Sequence, residues 1–221
     1  MAQKVKLLAK RFVTHDTSQF IFEKPEDFDL EPGLAAEISV NKEGWEEEKR
    51  PFTFTSLEED GVLEFTIKEY PDHDGVTQKL HSLNPGEEIL IHDTFQTFPY
   101  KGEGVFIAGG AGVTPFVAIL RDLAKKGELG NNCLVFANKE HRDIILEREL
   151  KEILGENCVF TLSREEVSGY ENGHVDKEFL ENKVGNLDDK KFYICGPPKM
   201  VDSLKEEVSQ IKDNSEDIVF E

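Results

Sequence analysis

Residues 104–127 read GVFIAGGAGVTPFVAILRDLAKKG, and this stretch decides the fold of the second half of the chain. Gly104–Ala108 is a short apolar run of the kind that a parallel sheet buries on both faces. Gly109-Gly110-Ala111-Gly112-Val113-Thr114-Pro115 follows directly. Pro115–Lys126 then sets Phe116, Ile119, Leu120 and Leu123 on one helical face, and Gly127 ends it. A glycine-rich turn from strand to helix offers backbone N–H groups and a helix N-terminus to a phosphate, with no side chain to hold the ligand off. Pro115 suits the first helical turn, whose N–H lacks a helical partner in any case. The turn ends GxGxxP where the usual dinucleotide fingerprint ends GxGxxG, and a plain tight connection would use the same residues.

Downstream the same alternation continues. Cys133–Ala137, Cys158–Ser163, Lys191–Cys195 and Asp217–Phe220 read as strands, and Asp143–Leu154, Asp176–Asn182 and Pro198–Ile211 as helices. This predicts an α/β domain with a parallel five-stranded sheet covered on both faces. Two more turns fall at strand ends. Cys195-Gly196-Pro197 would border the same crevice as the 109–115 turn, although a buried inert thiol is the commoner fate of a lone cysteine. Ser163-Arg164 could grip a phosphate through a hydroxyl and a guanidinium fork, which points to NADP(H) over NAD(H); a solvated surface arginine is the plain alternative.

Upstream the pattern changes. Val5–Val13, Gln19–Phe22, Leu34–Val40, Pro51–Ser56, Val62–Lys68 and Glu88–Ile91 are short β-branched or aromatic runs broken by Gly, Pro, Asp and Asn. They predict a small antiparallel barrel or sandwich, with one short helix at Thr77–Leu83 ended by Asn84-Pro85-Gly86. The change falls at residues 99–103, dividing the chain into domains 1–101 and 102–221.

Composition narrows the function. With 45 acidic and 26 basic residues among 221, the formal charge is -19, and both halves are acidic, so nucleic-acid binding through bulk electrostatics is excluded. Three scattered cysteines, Cys133, Cys158 and Cys195, fit neither a disulfide framework nor a zinc signature, and they are too few for a four-cysteine iron–sulfur cluster. The N-terminus lacks the apolar core of a signal peptide, and no window approaches the roughly 18 apolar residues of a membrane span. A reducing cytoplasm is the expected setting; the oligomeric state is not legible.

In the first half, Arg50-Pro51-Phe52-Thr53-Phe54-Thr55-Ser56 gathers a cation, an aromatic ring and hydroxyls in one strand, with Phe52 and Phe54 on one face and Thr53 and Thr55 on the other. An ordinary core strand reads the same way. The order Arg-x-aromatic-Thr, then Gly75-Val76-Thr77, then Gly110–Pro115, then Cys195-Gly196-Pro197 resembles the ferredoxin–NADP reductase superfamily over nearly the whole chain. The sequence Ala108–Gly112 is most similar to the bacterial flavodoxin/ferredoxin reductase-like and flavohaemoglobin-reductase-like branch.

That resemblance implies a six-stranded antiparallel FAD-binding barrel followed by the NAD(P)-binding α/β domain. It implies that Arg50, beside Pro51, binds the FAD pyrophosphate, that Phe52 lies against the isoalloxazine, and that the Thr53 hydroxyl meets flavin N5. Gly75, Val76 and Thr77 would serve the same pyrophosphate, and Lys68 and Tyr70 the adenosine half or the incoming nucleotide. NADPH would set its pyrophosphate on Gly110, Ala111, Gly112, Val113, Thr114 and Pro115, its 2′-phosphate on Ser163 and Arg164, and its nicotinamide near Cys195, Gly196 and Pro197. Hydride would pass to the flavin, with Thr53, Cys195 and Glu221 shaping the contact. Electrons would leave to a separate carrier such as ferredoxin or flavodoxin, or to free flavin or ferric iron as a small-molecule acceptor. A non-catalytic flavin-binding electron-transfer subunit is the remaining reading.

Three features differ from the family pattern. Phe52 stands for the commoner tyrosine; Ala111 stands for threonine, which leaves Thr114 to supply a hydroxyl; and the sequence ends at Phe220-Glu221 where relatives continue to an aromatic cover over the flavin, so that either the cover is missing or Phe220 itself supplies it.

Overall fold

A computed structural model describes residues 2–70, 75–212 and 214–220. The chain forms two compact units, Met1–Pro99 and Tyr100–Glu221.

The first unit is an antiparallel sheet of six strands: β1 (Gln3–Phe12), β2 (Thr17–Glu23), β3 (Leu34–Val40), β4 (Arg50–Thr53), β5 (Val62–Lys68) and β6 (Glu88–Gln96). They lie in the order β4-β3-β6-β1-β2-β5. The helix α1 spans Val76–His81 and buries Val76 and Leu80. The two edge strands meet through a handover just past β4. Phe54 N–H still donates to Leu34 on β3 (3.0 Å), whereas Thr55 N–H donates to Glu64 on β5 (2.8 Å). An antiparallel bridge joins Phe54 to Phe65, their rings 4.4 Å apart. Closure of this kind removes exposed edges, so the unit is a barrel, with Phe20, Phe22, Phe54, Phe65, Ile38 and Ile89 in its core. The handover also explains why β4 ends at Thr53 instead of running to Ser56.

β6 extends past Ile91 for a reason that hydrophobic alternation does not carry. Thr94, Phe95 and Gln96 are exposed, yet they pair with Ala36, Ala35 and Leu34 through the backbone ladder.

The second unit holds β7 (Gly104–Gly109), β8 (Cys133–Asn138), β9 (Cys158–Leu162), β10 (Glu171–Asn172), β11 (Lys191–Cys195) and β12 (Ile218–Phe220). All pair in parallel, in the order β10-β9-β8-β7-β11-β12. The sheet therefore has six strands, which corrects the expected five. The added strand β10 has two residues and no apolar run. The pairs Glu171–Thr161 and Asn172–Leu162 hold it, together with Asn172 Nδ2 donating to the Leu162 carbonyl (3.2 Å).

Four helices connect these strands: α2 (Thr114–Lys126), α3 (Glu147–Leu154), α4 (Lys177–Val184) and α5 (Pro198–Ser209). Val105, Ile107, Val135 and Ile194 share one core with Leu180 of α4 and with Val201 and Leu204 of α5. On the other face Phe106 meets Phe116 of α2 edge-on at 5.1 Å. α3 starts four residues later than its periodicity predicts. A 3-10 turn occupies His141–Asp143, Ile144 and Ile145 are buried, and Leu146 adopts φ 53, which interrupts the helix.

The strand order matters for function. From β7 the chain builds outward through β8 and β9, then returns with β11 to the opposite side of β7. The carboxyl ends of β7 and β11 therefore flank the topological switch point, where open parallel sheets bind ligands.

Candidate functional site

Two glycine turns meet at that switch point. Gly109 ends β7, Gly110 takes φ +51, and a 3-10 turn over Gly110–Val113 leads into α2. The left-handed φ at Gly110 strains any residue with a Cβ. Gly112 is needed for space: a Cβ there would lie 2.3 Å from the Cys195 carbonyl oxygen and 2.7 Å from the Gly196 nitrogen. Across the gap a Cβ on Gly196 would lie 3.1 Å from the Gly109 Cα, and one on Gly109 would lie 2.9 Å from the Pro197 ring. The turns after β7 and β11 are thus packed main chain to main chain, as one cradle. Ala111, Gly112 and Thr114 are half-buried, while Val113 and Pro115 are buried. The Thr114 hydroxyl donates to the Ala111 carbonyl (3.1 Å), so its proton secures the turn while its lone pairs stay available.

Cys195 is half-buried at the end of β11. The other two thiols differ from a reactive one: burial pushes Cys133 up to about 11 and Cys158 up to about 12.

Ser163 and Arg164 follow β9, two strands along the same sheet edge, and both are exposed. Their backbone N–H groups donate to the Asn138 carbonyl (3.0 Å) and the Lys139 carbonyl (2.9 Å). The Arg164 side chain makes no ion pair or hydrogen bond among the described residues. Glu165 comes next, with its carboxylate accepting from the His141 N–H.

Four side chains brace this loop. A His141 ring nitrogen lies 2.9 Å from the Tyr170 Oη and 3.0 Å from Glu147 Oε2. Tyr170 also donates to Glu147, and Lys151 donates to the same carboxylate at 2.6 Å. The Lys151 ammonium stands 4.8 Å from the centre of the Tyr170 ring. Partial burial works to raise the Glu147 carboxyl, but the hydrogen bonds from Lys151 and Tyr170 outweigh it and hold the group below its ordinary range.

Asn138 is a site residue that the sequence reading missed. It ends β8 between the 109–115 turn and Ser163, is 6% exposed, and neither Nδ2 nor Oδ1 has a partner among the described residues. The signal was present as a lone amide closing the apolar run CLVFAN.

In the first unit, Arg50 and Pro51 are exposed on β4, and Phe52 and Thr53 are half-buried. Among the described residues Arg50 donates to the Lys49 carbonyl beside it alone (2.6 Å), and Phe52 packs partly on the core. The Phe54–Phe65 bridge holds the end of β4 against β5, the strand that ends at Lys68. Lys68 pairs with Asp16 at 2.7 Å. Burial pushes the Asp16 carboxyl up, and the hydrogen bonds from Lys68 and Thr14 more than offset it. Tyr70 is 47% exposed just beyond. Gly75 precedes α1 in an extended conformation, Val76 is spent on the core, and Thr77 is half-buried. Phe220 is half-exposed with the Lys205 ammonium 3.5 Å from its ring centre, while Glu221 lies outside the described residues.

These residues fit the cofactors expected from them. A glycine turn that is open at Gly110, where a Cβ would meet nothing within 4 Å, and that leads into a helix N-terminus suits a diphosphate, and an exposed arginine beside a half-buried aromatic suits a flavin dinucleotide.

Comparison with known proteins agrees. Residues 4–100 match the family described as oxidoreductase FAD-binding domain, and residues 106–206 the family described as oxidoreductase NAD-binding domain. The chain is 30% identical over 236 residues to NADH-cytochrome b5 reductase 2 of Coccidioides immitis, covering 96% of this chain and 70% of that protein. It is 28% identical over 212 residues to NADH-cytochrome b5 reductase 2 of Mycosarcoma maydis, covering 86% of this chain and 60% of that protein. The fold is similar to the cytochrome b5 reductase domain of Ulva prolifera nitrate reductase, with TM-score 0.86, 20% identity, and 100% and 97% of the two chains covered. It is also similar to a ferredoxin NADP+ reductase from Neisseria gonorrhoeae with bound FAD and NADP, with TM-score 0.85, 19% identity, and 100% and 98% covered. Barrel, sheet and cradle thus define a class, the oxidoreductases that bind FAD and a pyridine nucleotide. The chain belongs to the ferredoxin–NADP reductase-like family of FAD-dependent NAD(P)H oxidoreductases.

Two outcomes follow from the cradle and the brace. Gly112→Ala should destabilise the protein by about 1–3 kcal/mol, because a backbone carbonyl must move, and chemical denaturation measures it. Glu147 has a lowered folded pKa, so its stabilisation is present at neutral pH and lost as pH falls through that value. Glu147→Gln should therefore flatten the acid limb of stability between about pH 6 and pH 3, and an unchanged limb would rule the brace out.

Proposed function

We propose that this protein takes reducing equivalents from NADPH and delivers them one at a time to a separate carrier protein. FAD, when bound, supplies the chemistry that accepts a hydride and releases single electrons. The observation that carries the reading is the cradle formed by Gly109–Gly112 against Cys195–Gly196 at the switch point.

The residues divide the work. Backbone N–H groups of residues 110–113, in the turn that Thr114 and Pro115 lead into α2 and backed by the positive end of that helix, hold the nucleotide pyrophosphate. Arg164 takes the 2′-phosphate through its fork and Ser163 adds a hydroxyl; the exposed guanidinium without an acidic partner among the described residues supports this role. Cys195, Gly196 and Pro197 border the nicotinamide, where small groups leave room for close approach. On the barrel, Arg50 with Pro51 binds the flavin pyrophosphate, Phe52 offers a flat apolar face, and the Thr53 hydroxyl hydrogen-bonds the ring nitrogen that changes protonation. Lys68, Tyr70, Gly75, Val76 and Thr77 complete the flavin nucleotide site. No side chain need act as a general acid or base in the transfer itself, so the protein's contribution is orientation and exclusion of water.

Relatives named for cytochrome b5 support a one-electron carrier as acceptor. A net charge of -19 disfavours an acidic ferredoxin or flavodoxin unless cations gather locally. A second reading, NADH as donor, is favoured by Glu165 beside Arg164 and by the NADH reductases among the relatives.

The visible spectrum of the purified protein should show flavin absorbance that NADPH bleaches without oxygen; a protein that takes up no FAD ends the proposal. Arg164→Ala should weaken NADPH roughly tenfold or more while leaving NADH nearly unchanged. Equal effects on the two would favour the NADH reading.

A further inference from the structure

Asn138 combines two properties that rarely coexist. It is 6% exposed, and among the described residues both its amide nitrogen and its amide oxygen lack a partner. A buried side chain in that condition loses its hydration without compensation, so such groups are found where a ligand or ordered water completes them.

Its location narrows what completes it. Pairing of Gly109 with Ala137 sets Asn138 one residue beyond the end of the ladder, alongside the 3-10 turn of Gly110–Val113. Cys133 and Val135 belong to the core beneath α4 and α5, with Ala137 packed against it. By strand alternation Asn138 therefore belongs to the opposite face, which α2 covers. On its other side the Asn138 carbonyl accepts from the Ser163 N–H at 3.0 Å and lies 3.4 Å from the Ser163 hydroxyl. The residue thus stands between the turn assigned to the pyrophosphate and the pair assigned to the 2′-phosphate. In NADPH the group that covalently joins those two phosphates is the adenosine ribose. Phosphate oxygens only accept, so they cannot satisfy Oδ1; the 3′-hydroxyl of the ribose both donates and accepts.

We propose that Asn138 recognises the adenosine ribose of the bound nucleotide by exchanging hydrogen bonds with its 3′-hydroxyl. This rests on the reading of the nucleotide site above. It makes Asn138 a binding residue for nucleotides that keep a free 3′-hydroxyl, and it separates recognition of the sugar from recognition of the phosphate by Arg164.

The test uses the whole protein and calorimetry with adenosine 2′,5′-bisphosphate and its 3′-deoxy analogue. The wild type should bind the deoxy compound at least about tenfold more weakly, because the hydrogen bonds to Nδ2 and to Oδ1 are lost together. Asn138→Leu should bind both compounds equally, at the weaker affinity, and should bind reduced nicotinamide mononucleotide as the wild type does. Its melting temperature without nucleotide should not fall, since an unsatisfied amide has been removed. Equal binding of the two compounds by the wild type would overturn the proposal whether or not the variant folds, as would a deoxy penalty that persists in Asn138→Leu. Failure of the wild type to bind either compound would overturn the nucleotide-site reading itself, and this inference with it.

Discussion

Gly109 and Gly112 bring the turn after β7 against the main chain of Cys195 and Gly196, so close that a Cβ on Gly112 would lie 2.3 Å from a carbonyl oxygen. The rest of the second unit depends on that approach. Parallel pairing of β7 with β11, from Gly104–Lys191 to Ala108–Cys195, runs unbroken up to it. The aromatic stack of Tyr193, Phe106 and Tyr100 supports the opposite end, where Tyr193 donates to the Gly102 carbonyl at 2.8 Å. A side chain at Gly112 would push the turn off the main chain of Cys195 and Gly196, and one at Gly109 would displace Met200 and the Pro197 ring. The close packing of the two turns and the binding role proposed for them share one constraint, which suits a turn written almost entirely in residues without reach.

The barrel solves a different problem by a comparable economy. Its seam is closed by one backbone handover and by the tilted, contacting rings of Phe54 and Phe65, and polar groups line it. Thr55 Oγ1 donates to Glu64 Oε1 (2.8 Å), and the Glu64 N–H donates to the Ser56 hydroxyl (2.8 Å). Satisfying those groups locally lets β4 stop early and leaves Arg50, Pro51 and part of Phe52 open to a ligand. A longer ladder would have consumed them.

Much of this was legible because residue pattern and burial coincide. Leu34–Val40 and Val62–Lys68 match their strands end to end, and the turn residues 109–115 were recognisable from glycine and proline placement alone. Legibility failed where the backbone acts without the side chains. β10 and the far half of β6 are held by ladder hydrogen bonds on exposed residues, and α3 starts late because Ile144 and Ile145 serve the core before the helix begins. Asn138 escaped notice because an amide at a strand end looks like an ordinary boundary until its partners are counted.

The sequence by itself determined the class of each half, through period-two runs in the first and strand–helix alternation in the second, and it marked the glycine and arginine positions a nucleotide would need. It did so because hydrophobic period and glycine φ requirements are local properties. Only the tertiary structure decided that the 109–115 and 195–197 turns touch, that Arg164 stays without an acidic partner among the described residues while Glu165 is engaged by His141, and that Asn138 is buried unsatisfied. Those outcomes depend on strand order across residues nearly ninety positions apart, which no local pattern encodes.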